Sequence, residues 1–220
     1  MSNRAKIALV CEAHQGLGAL IAAALAREGV RVIRAAADPA HATQRDTVQL
    51  DFLVPASVIR CAEHLQATDR EPDILVLNGP PLADGYSAAL DDIAWADACQ
   101  LLWTGPLALV GRLLPGMVQR GNGRLIWLTS AAAHRFVAGR AIATSLQSGI
   151  HGLVRTLAAE YGAQGITVNA LIPSVRSPRA VPAGQSAASL AFARYAAFLA
   201  SDAAGYVSGQ LLVAEVDAVP

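Results

Sequence analysis

Ser130, Glu12, His14 and His134 are the side chains whose chemistry stands out first in this sequence. A hydroxyl, a carboxylate and two imidazoles would suffice for a nucleophile and an acid–base pair. They would serve a lyase, isomerase or cyclase reaction that needs no cofactor. Their positions form no tight constellation along the chain, which makes this the weaker functional reading. His134, Arg135 and Arg140 form a second group. They follow an apolar segment ending at Thr129 and could together hold a carboxylate or a CoA phosphate, although a solvated loop is the simpler account. His151 falls inside a long helical pattern and has no partner that spacing identifies. Cys11, Cys61 and Cys99 are odd in number, scattered, and without metal-ligand spacing. Reduced thiols in a cytoplasmic protein, with no metal, are the expectation. Met1-Ser2-Asn3-Arg4 runs straight into an apolar segment with no secretory pattern.

The elements that must position these residues alternate. Ile7–Val10 is a short continuous apolar run, as a strand buried on both faces requires. A helix rich in Ala and Leu follows from about Gly18 to Glu28, closed by Gly29. Further strands are predicted over 30–34, 48–51, 73–77, 124–129, 166–171 and 210–214. Helices are predicted over 55–67, 90–114, 146–161 and 186–200. In the 146–161 helix, Ile150, Leu153, Val154, Leu157, Ala158 and Tyr161 lie on one stripe. Repeated strand–helix units of this length imply α/β architecture. The prediction is one Rossmann-like, doubly wound parallel sheet of about seven strands, helices on both faces, spanning residues 1–220 as a single domain.

Composition narrows the partners. Hydrophobic residues make up 54% of the 220 and charged residues 15%, so disorder is not expected. Seventeen basic residues balance seventeen acidic ones, which gives no footprint for nucleic acid or an anionic membrane. Apolar runs stay short of the ~20 residues a membrane span needs. The apolar excess instead suits a buried sheet and a subunit interface. Trp95, Trp103 and Trp127 could anchor such an interface, with core packing equally suitable for Trp127. Arg176–Gln185, with two prolines and a glycine, reads as a loop that can move.

Several segments in order resemble the short-chain dehydrogenase/reductase family, over almost the whole chain. Gly16-Leu17-Gly18 resembles the end of its T-G-x-x-x-G-x-G loop, and Asp51 stands where the family has an Asp near adenine. Asp73-Ile-Leu-Val-Leu-Asn78-Gly79 resembles the strand leading into N-N-A-G. Trp95 with Thr104-Gly105 resembles the long fourth helix. Gly123-Arg-Leu-Ile-Trp-Leu-Thr-Ser130 resembles the strand ending in the catalytic Ser. Leu157-Ala-Ala-Glu160, Ile166-Thr-Val-Asn-Ala170 with Pro173, Phe198–Asp202 and Val207–Gln210 match the family's C-terminal half.

The resemblance also shows what is missing. In the family a Tyr exchanges the substrate proton, and a Lys one helical turn later lowers its pKa and holds the nicotinamide ribose. A phenol of pKa ~10 needs such a cation to work near neutral pH. Ser130 matches the family Ser. The Tyr position falls on Ala143, the Lys position on Gln147 and the Asn position on Leu102. No shift of alignment repairs this. Four residues beyond Tyr86, Tyr161, Tyr195 and Tyr206 stand Leu90, Gly165, Leu199 and Gln210, and the only lysine is Lys6.

The cofactor positions are eroded too. Gly16, Gly18, Asp51 and Asn78 persist as remnants, but the first loop glycine is Glu12. A carboxylate ~4 Å from a phosphate charge at an effective dielectric of ~20 costs roughly 4 kcal/mol. Ala36 offers no acid for an NAD ribose, and Arg34 lies inside a strand, where a structural role suits it better. Leu77 and Pro80 replace the ends of N-N-A-G. Only 24 residues separate Pro173 from Phe198, a shortened substrate lid.

The resemblance therefore implies a non-catalytic subunit, with no cofactor bound to this chain. NAD(P) would sit on an active paralogue, in a hetero-oligomer, expected to be a tetramer, of the alcohol or hydroxyacyl-CoA dehydrogenase type. The two long helices and the C-terminal strand would form the contacts. A ligand-binding regulatory protein is the third reading.

Overall fold

Ile7-Ala8-Leu9-Val10-Cys11 contains no charged side chain, and all five residues are buried: this is β1 (Ile7–Cys11), a strand covered on both faces. The computed structural model describes residues 4–42, 46–80, 85–130, 138–174 and 187–215. β1 is followed by α1 (Gly16–Arg27), β2 (Arg31–Ala36), β3 (Thr47–Gln49), α2 (Pro55–Ala67) and β4 (Ile74–Leu77). Next come α3 (Asp92–Cys99), a π-helical turn (Gln100–Thr104), α4 (Gly105–Arg120), β5 (Gly123–Leu128), α5 (Ala141–Tyr161), β6 (Ile166–Ser174), α6 (Ala187–Ala200) and β7 (Leu211–Glu215).

The seven strands form one parallel sheet in the order β3-β2-β1-β4-β5-β6-β7. The sheet is Rossmann-like and doubly wound, as the alternating pattern predicts. α1 and α6 pack against one face around Ile21, Leu25, Ile126 and Phe192. α2, α4 and α5 cover the other around Leu65, Leu109, Leu113, Met117 and Val154. β1 pairs with β2 on one side and β4 on the other, so the chain's winding reverses there. A crevice opens at the carboxyl ends of these strands, where such sheets receive ligands.

Two predicted helices differ from the observed ones. The 90–114 helix runs from Asp92 to Arg120 with a π turn over Gln100–Thr104. Gln100 holds that turn, because its Nε2 donates to the Phe52 carbonyl at 2.7 Å. Gly105 is required beside it: a Cβ there would lie 2.9 Å from Phe52 Cβ. This helical run is long and apolar enough to cross a membrane by length and composition. Leu109, Val110, Leu113, Leu114 and Met117 of α4 are nevertheless buried in the core. α5 begins five residues earlier than predicted, at Ala141, and so carries Ala143 and Gln147 in its first two turns.

The stripe expected to serve a partner faces inward. Ile150, Val154 and Leu157 are buried in the core, and Leu153, Ala158 and Tyr161 pack against it. Trp127 is also core, 3% exposed, and Trp103 Nε1 donates to the Leu146 carbonyl at 3.0 Å. The proposed loop over 176–185 lies outside the described residues.

A charged knot closes the opposite end of the sheet. Arg124 is buried within β5 and donates to the Gly123 and Gly165 carbonyls, at 2.9 and 3.3 Å. It also reaches Asp202 at 3.5 Å, and Lys6 pairs with the same carboxylate. The Lys6 hydrogen bond, opposed by desolvation and helped by the charges of Lys6 and Arg124, holds the Asp202 carboxyl below its ordinary range. A depressed carboxyl contributes stability above its unfolded pKa and loses it as pH falls through the folded value. Asp202 is mostly exposed, which keeps the effect small. Asp202→Asn is expected to lower Tm by about 2–4 °C at pH 7. That difference should vanish in melts taken toward pH 3; a difference constant with pH would refute the assignment.

Candidate functional site

The crevice edge is built from the first residues after β1, β4 and β5. β5 delivers Thr129 and Ser130; α5, packed across it, delivers Ala143 and Gln147 one turn apart on its inner face. Ala143 is 4% exposed and Gln147 is 9% exposed. Gln147 Oε1 accepts a hydrogen bond from the Ser130 backbone N–H at 2.8 Å. The side chain at the lysine position thus fastens α5 to the end of β5. The π turn places Leu102 against the β4 end, where its Cδ2 would lie 3.3 Å from a Cβ built on Gly79. Asn78, Gly79, Leu102, Trp127, Gln147 and Ile150 enclose a cavity of about 20 Å³. That is room for about one water. Neither a phenol nor an ammonium stands at the positions the family uses, and among the described residues Ala143, Trp127 and Ile150 are buried beside them.

Sequence reasoning missed the pair behind this layer. His151, left without a role, is 6% exposed, and its Nε2 lies 3.1 Å from the Thr129 hydroxyl. A histidine buried eight residues after Ala143 on the same inward face was the available signal. His134 and Arg135 lie outside the described residues. Arg140 stands at the N-cap of α5.

The other half of the crevice lies along β1 and β2. Glu12 holds φ +49°, the left-handed conformation that the glycine of the family loop adopts without strain. For a side chain this costs roughly 1–2 kcal/mol. The Glu12 carbonyl explains why Gly18 persists: a Cβ on Gly18 would sit 2.3 Å from it. The Glu12 carboxylate is half-buried, and His14 Nδ1 lies 3.6 Å away. Desolvation by burial, opposed by His14 and the Ala37 backbone and aided by Asp51, pushes the Glu12 carboxyl above the ordinary carboxylate range. His14 stacks on His41, with ring centroids 4.6 Å apart and planes at 18°. His41 was not singled out from the sequence, because nothing local joins the turn after β2 to the loop after β1.

The remaining remnants have structural tasks. Asp51 Oδ1 accepts from the Leu53 N–H at 2.9 Å, and the Asp51 N–H donates to Ser57 Oγ at 3.0 Å, which shapes the entry to α2. Arg34 is a β2 residue paired with Val10 and Thr47. Cys11 is wholly buried at the end of β1, and desolvation raises its thiol far above the range in which a thiolate forms. Ser130 does not meet Glu12 and His14. β4 lies between β1 and β5, so their ends are separated by two strand spacings, about 10 Å. The residues fit a dinucleotide poorly: a diphosphate needs N–H donors and cations, and the loop carries the Glu12 carboxylate where the family has its first glycine.

Known proteins give the same outline. A family profile described as enoyl-(acyl carrier protein) reductase matches residues 12–188. The chain is 30% identical over 235 residues to the 3-oxoacyl-[acyl-carrier-protein] reductase FabG of Escherichia coli (strain K12), covering 96% of both. It is 30% identical over 234 residues to Nodulation protein G of Azospirillum brasilense, covering 94% of this chain and 95% of the other. A solved short chain dehydrogenase/reductase family protein superposes with TM-score 0.85 at 28% identity over 98% of both chains.

Proposed function

Since the chain belongs to the short-chain dehydrogenase/reductase family, an oxidoreductase family, yet lacks its Tyr, Lys and Asn, we propose that it is a non-catalytic subunit supporting an active paralogue. The Ser130–Gln147 hydrogen bond carries this reading. A catalytic centre that had merely lost groups would leave a cavity. Here the lysine position is occupied by a side chain that bonds the neighbouring strand, beside a buried Ala143 and a cavity of about 20 Å³. The fold is kept while the chemistry is replaced by packing.

The cofactor NAD(P) then belongs to the partner, as does the proton relay. The relatives' names include 3-oxoacyl-[acyl-carrier-protein] reductase, which fits a partner acting on an acyl thioester. The assembly would be a hetero-oligomeric alcohol or hydroxyacyl-CoA dehydrogenase. The two-subunit 2-[hydroxy(phenyl)methyl]-succinyl-CoA dehydrogenase is a case of this kind within the family resemblance. For the contact surface, the C-terminal side supports the reading better than α5, whose stripe is internal. β7 is an edge strand, and Val213 on it is 55% exposed. Phe198 of α6 and Tyr206 are 40% and 83% exposed. Among the described residues no strand pairs with the outer edge of β7, and apolar groups beside such an edge suit continuation into another subunit.

Native mass spectrometry of the protein purified from its own cells tests the proposal. A stoichiometric complex with a second subunit carrying an intact Tyr–Lys pair is the expected result. A pure homo-oligomer would overturn it, and a retained small molecule would then favour the sensor reading.

A further inference from the structure

We propose that the nucleotide half of the crevice is shut by this chain's own side chains, with Glu12, His14 and His41 bridging the loop after β1 to the turn after β2. This deepens the non-catalytic reading by naming what would keep a cofactor out. Its test concerns the isolated chain, so it can fail while the partner assembly stands, and the reverse.

In a doubly wound sheet the diphosphate of a dinucleotide rests at the N-terminus of the helix after the first strand. The adjacent ribose lies against the end of the second strand. Both places are taken here. The partly buried Glu12 carboxylate stands in the loop after β1, within reach of His14 on the same loop. His14 continues the bridge, its Nδ1 3.6 Å from that carboxylate. Its ring lies on His41 at 4.6 Å, close to face-to-face contact, which leaves no gap for a sugar or a base between them. His41 belongs to the short turn Pro39–Ala42, and its Nδ1 is 3.7 Å from the Asp38 carboxylate. The bridge thus runs through Glu12, His14, His41 and Asp38, from the loop after β1 to the turn after β2.

Charge works in the same direction as space. Glu12 and Asp38 lie on the bridge itself, and Asp51 is close enough to disfavour ionisation of Glu12. A ligand carrying two phosphates would meet carboxylates where other sheets of this kind present only backbone N–H groups. The loop keeps its shape at the expense of a left-handed Glu12, so the bridge is held by contacts rather than by local preference.

The test is titration of the purified full-length chain with NADPH and with ADP, followed calorimetrically, with thermal melts on the same samples. Wild type is expected to show no saturable binding up to ~1 mM. Glu12→Gly combined with His41→Ala removes the carboxylate, the strain and the stack, and is expected to bind both probes at least tenfold more tightly, with a ligand-dependent rise in Tm. Should the double variant fail to fold, Glu12→Gln and His41→Ala singly keep the backbone and read the same gain in smaller steps. Wild-type binding equal to that of the variants would overturn the proposal. So would folded variants that bind no better than wild type.

Discussion

Gln147→Lys, which restores the family residue, is expected to destabilise the fold by about 3–4 kcal/mol at pH 7 and to lower Tm by roughly 10 °C. Position 147 is 9% exposed, and its neighbours Leu102, Trp127 and Ile150 offer no countercharge. A lysine there must shed its proton or carry an unpaired ammonium into apolar packing. Pulling its pKa from ~10.4 to below about 8 costs roughly 1.4 kcal/mol per unit. The Ser130 N–H also loses its Gln147 acceptor. The sign with pH is fixed: the folded pKa lies below the unfolded one, so the unfolded state binds more protons in between and stability rises with pH. Melts of the variant should approach wild type between pH 7 and pH 10. Gln147→Leu, which removes only the hydrogen bond, should cost about 1–2 kcal/mol with no such pH dependence. A Gln147→Lys protein melting within a degree or two of wild type at pH 7 would mean that water reaches this position, and that the pocket is not the closed one described above.

The architecture was legible because it rests on short-range regularities. Seven apolar runs at β-strand length, separated by helical stripes, admit few sheets other than a parallel doubly wound one, and all seven strands fall where those runs lie. That no Tyr is followed four residues later by a Lys is read directly from the chain, whose one lysine is Lys6. What the sequence withheld is long-range. His14 and His41 are 27 positions apart, and neither has a neighbour that announces the stack. Thr129 and His151 meet only because α5 crosses the end of β5. The π turn at Gln100 depends on a carbonyl 48 residues earlier, at Phe52. The α5 stripe failed as an interface signal for a related reason. Periodicity says that one face is apolar, not whether the sheet or another subunit covers it. In a doubly wound fold the sheet has first claim on such a face.

The isolated chain is expected to reduce 3-oxoacyl thioesters with NADPH at least ~10⁴-fold more slowly than an ordinary enzyme turning over at ~10 s⁻¹. Loss of a positioned acid–base group alone accounts for ~10²–10⁴. Ala143 offers no proton, and the only lysine, Lys6, pairs with Asp202 at the far end of the sheet. Ser130 supplies at most a hydrogen bond to a substrate oxygen, and the family's Tyr and Lys positions hold Ala143 and Gln147. NADPH absorbance at high enzyme concentration measures the rate, and turnover near 1 s⁻¹ would end the non-catalytic reading. Reinstating the family residues together, Leu102→Asn with Ala143→Tyr and Gln147→Lys, should leave the rate below ~10⁻² s⁻¹. A relay is useful only beside a bound nicotinamide, and the Glu12–His14–His41 bridge stands across the place where the rest of that cofactor must anchor. Adding Glu12→Gly and His41→Ala to the triple variant separates the two losses. If binding returns and turnover does not, the apolar closure around positions 102, 143 and 147 is the dominant barrier. If both return, the crevice was the gate and the relay needed only its residues.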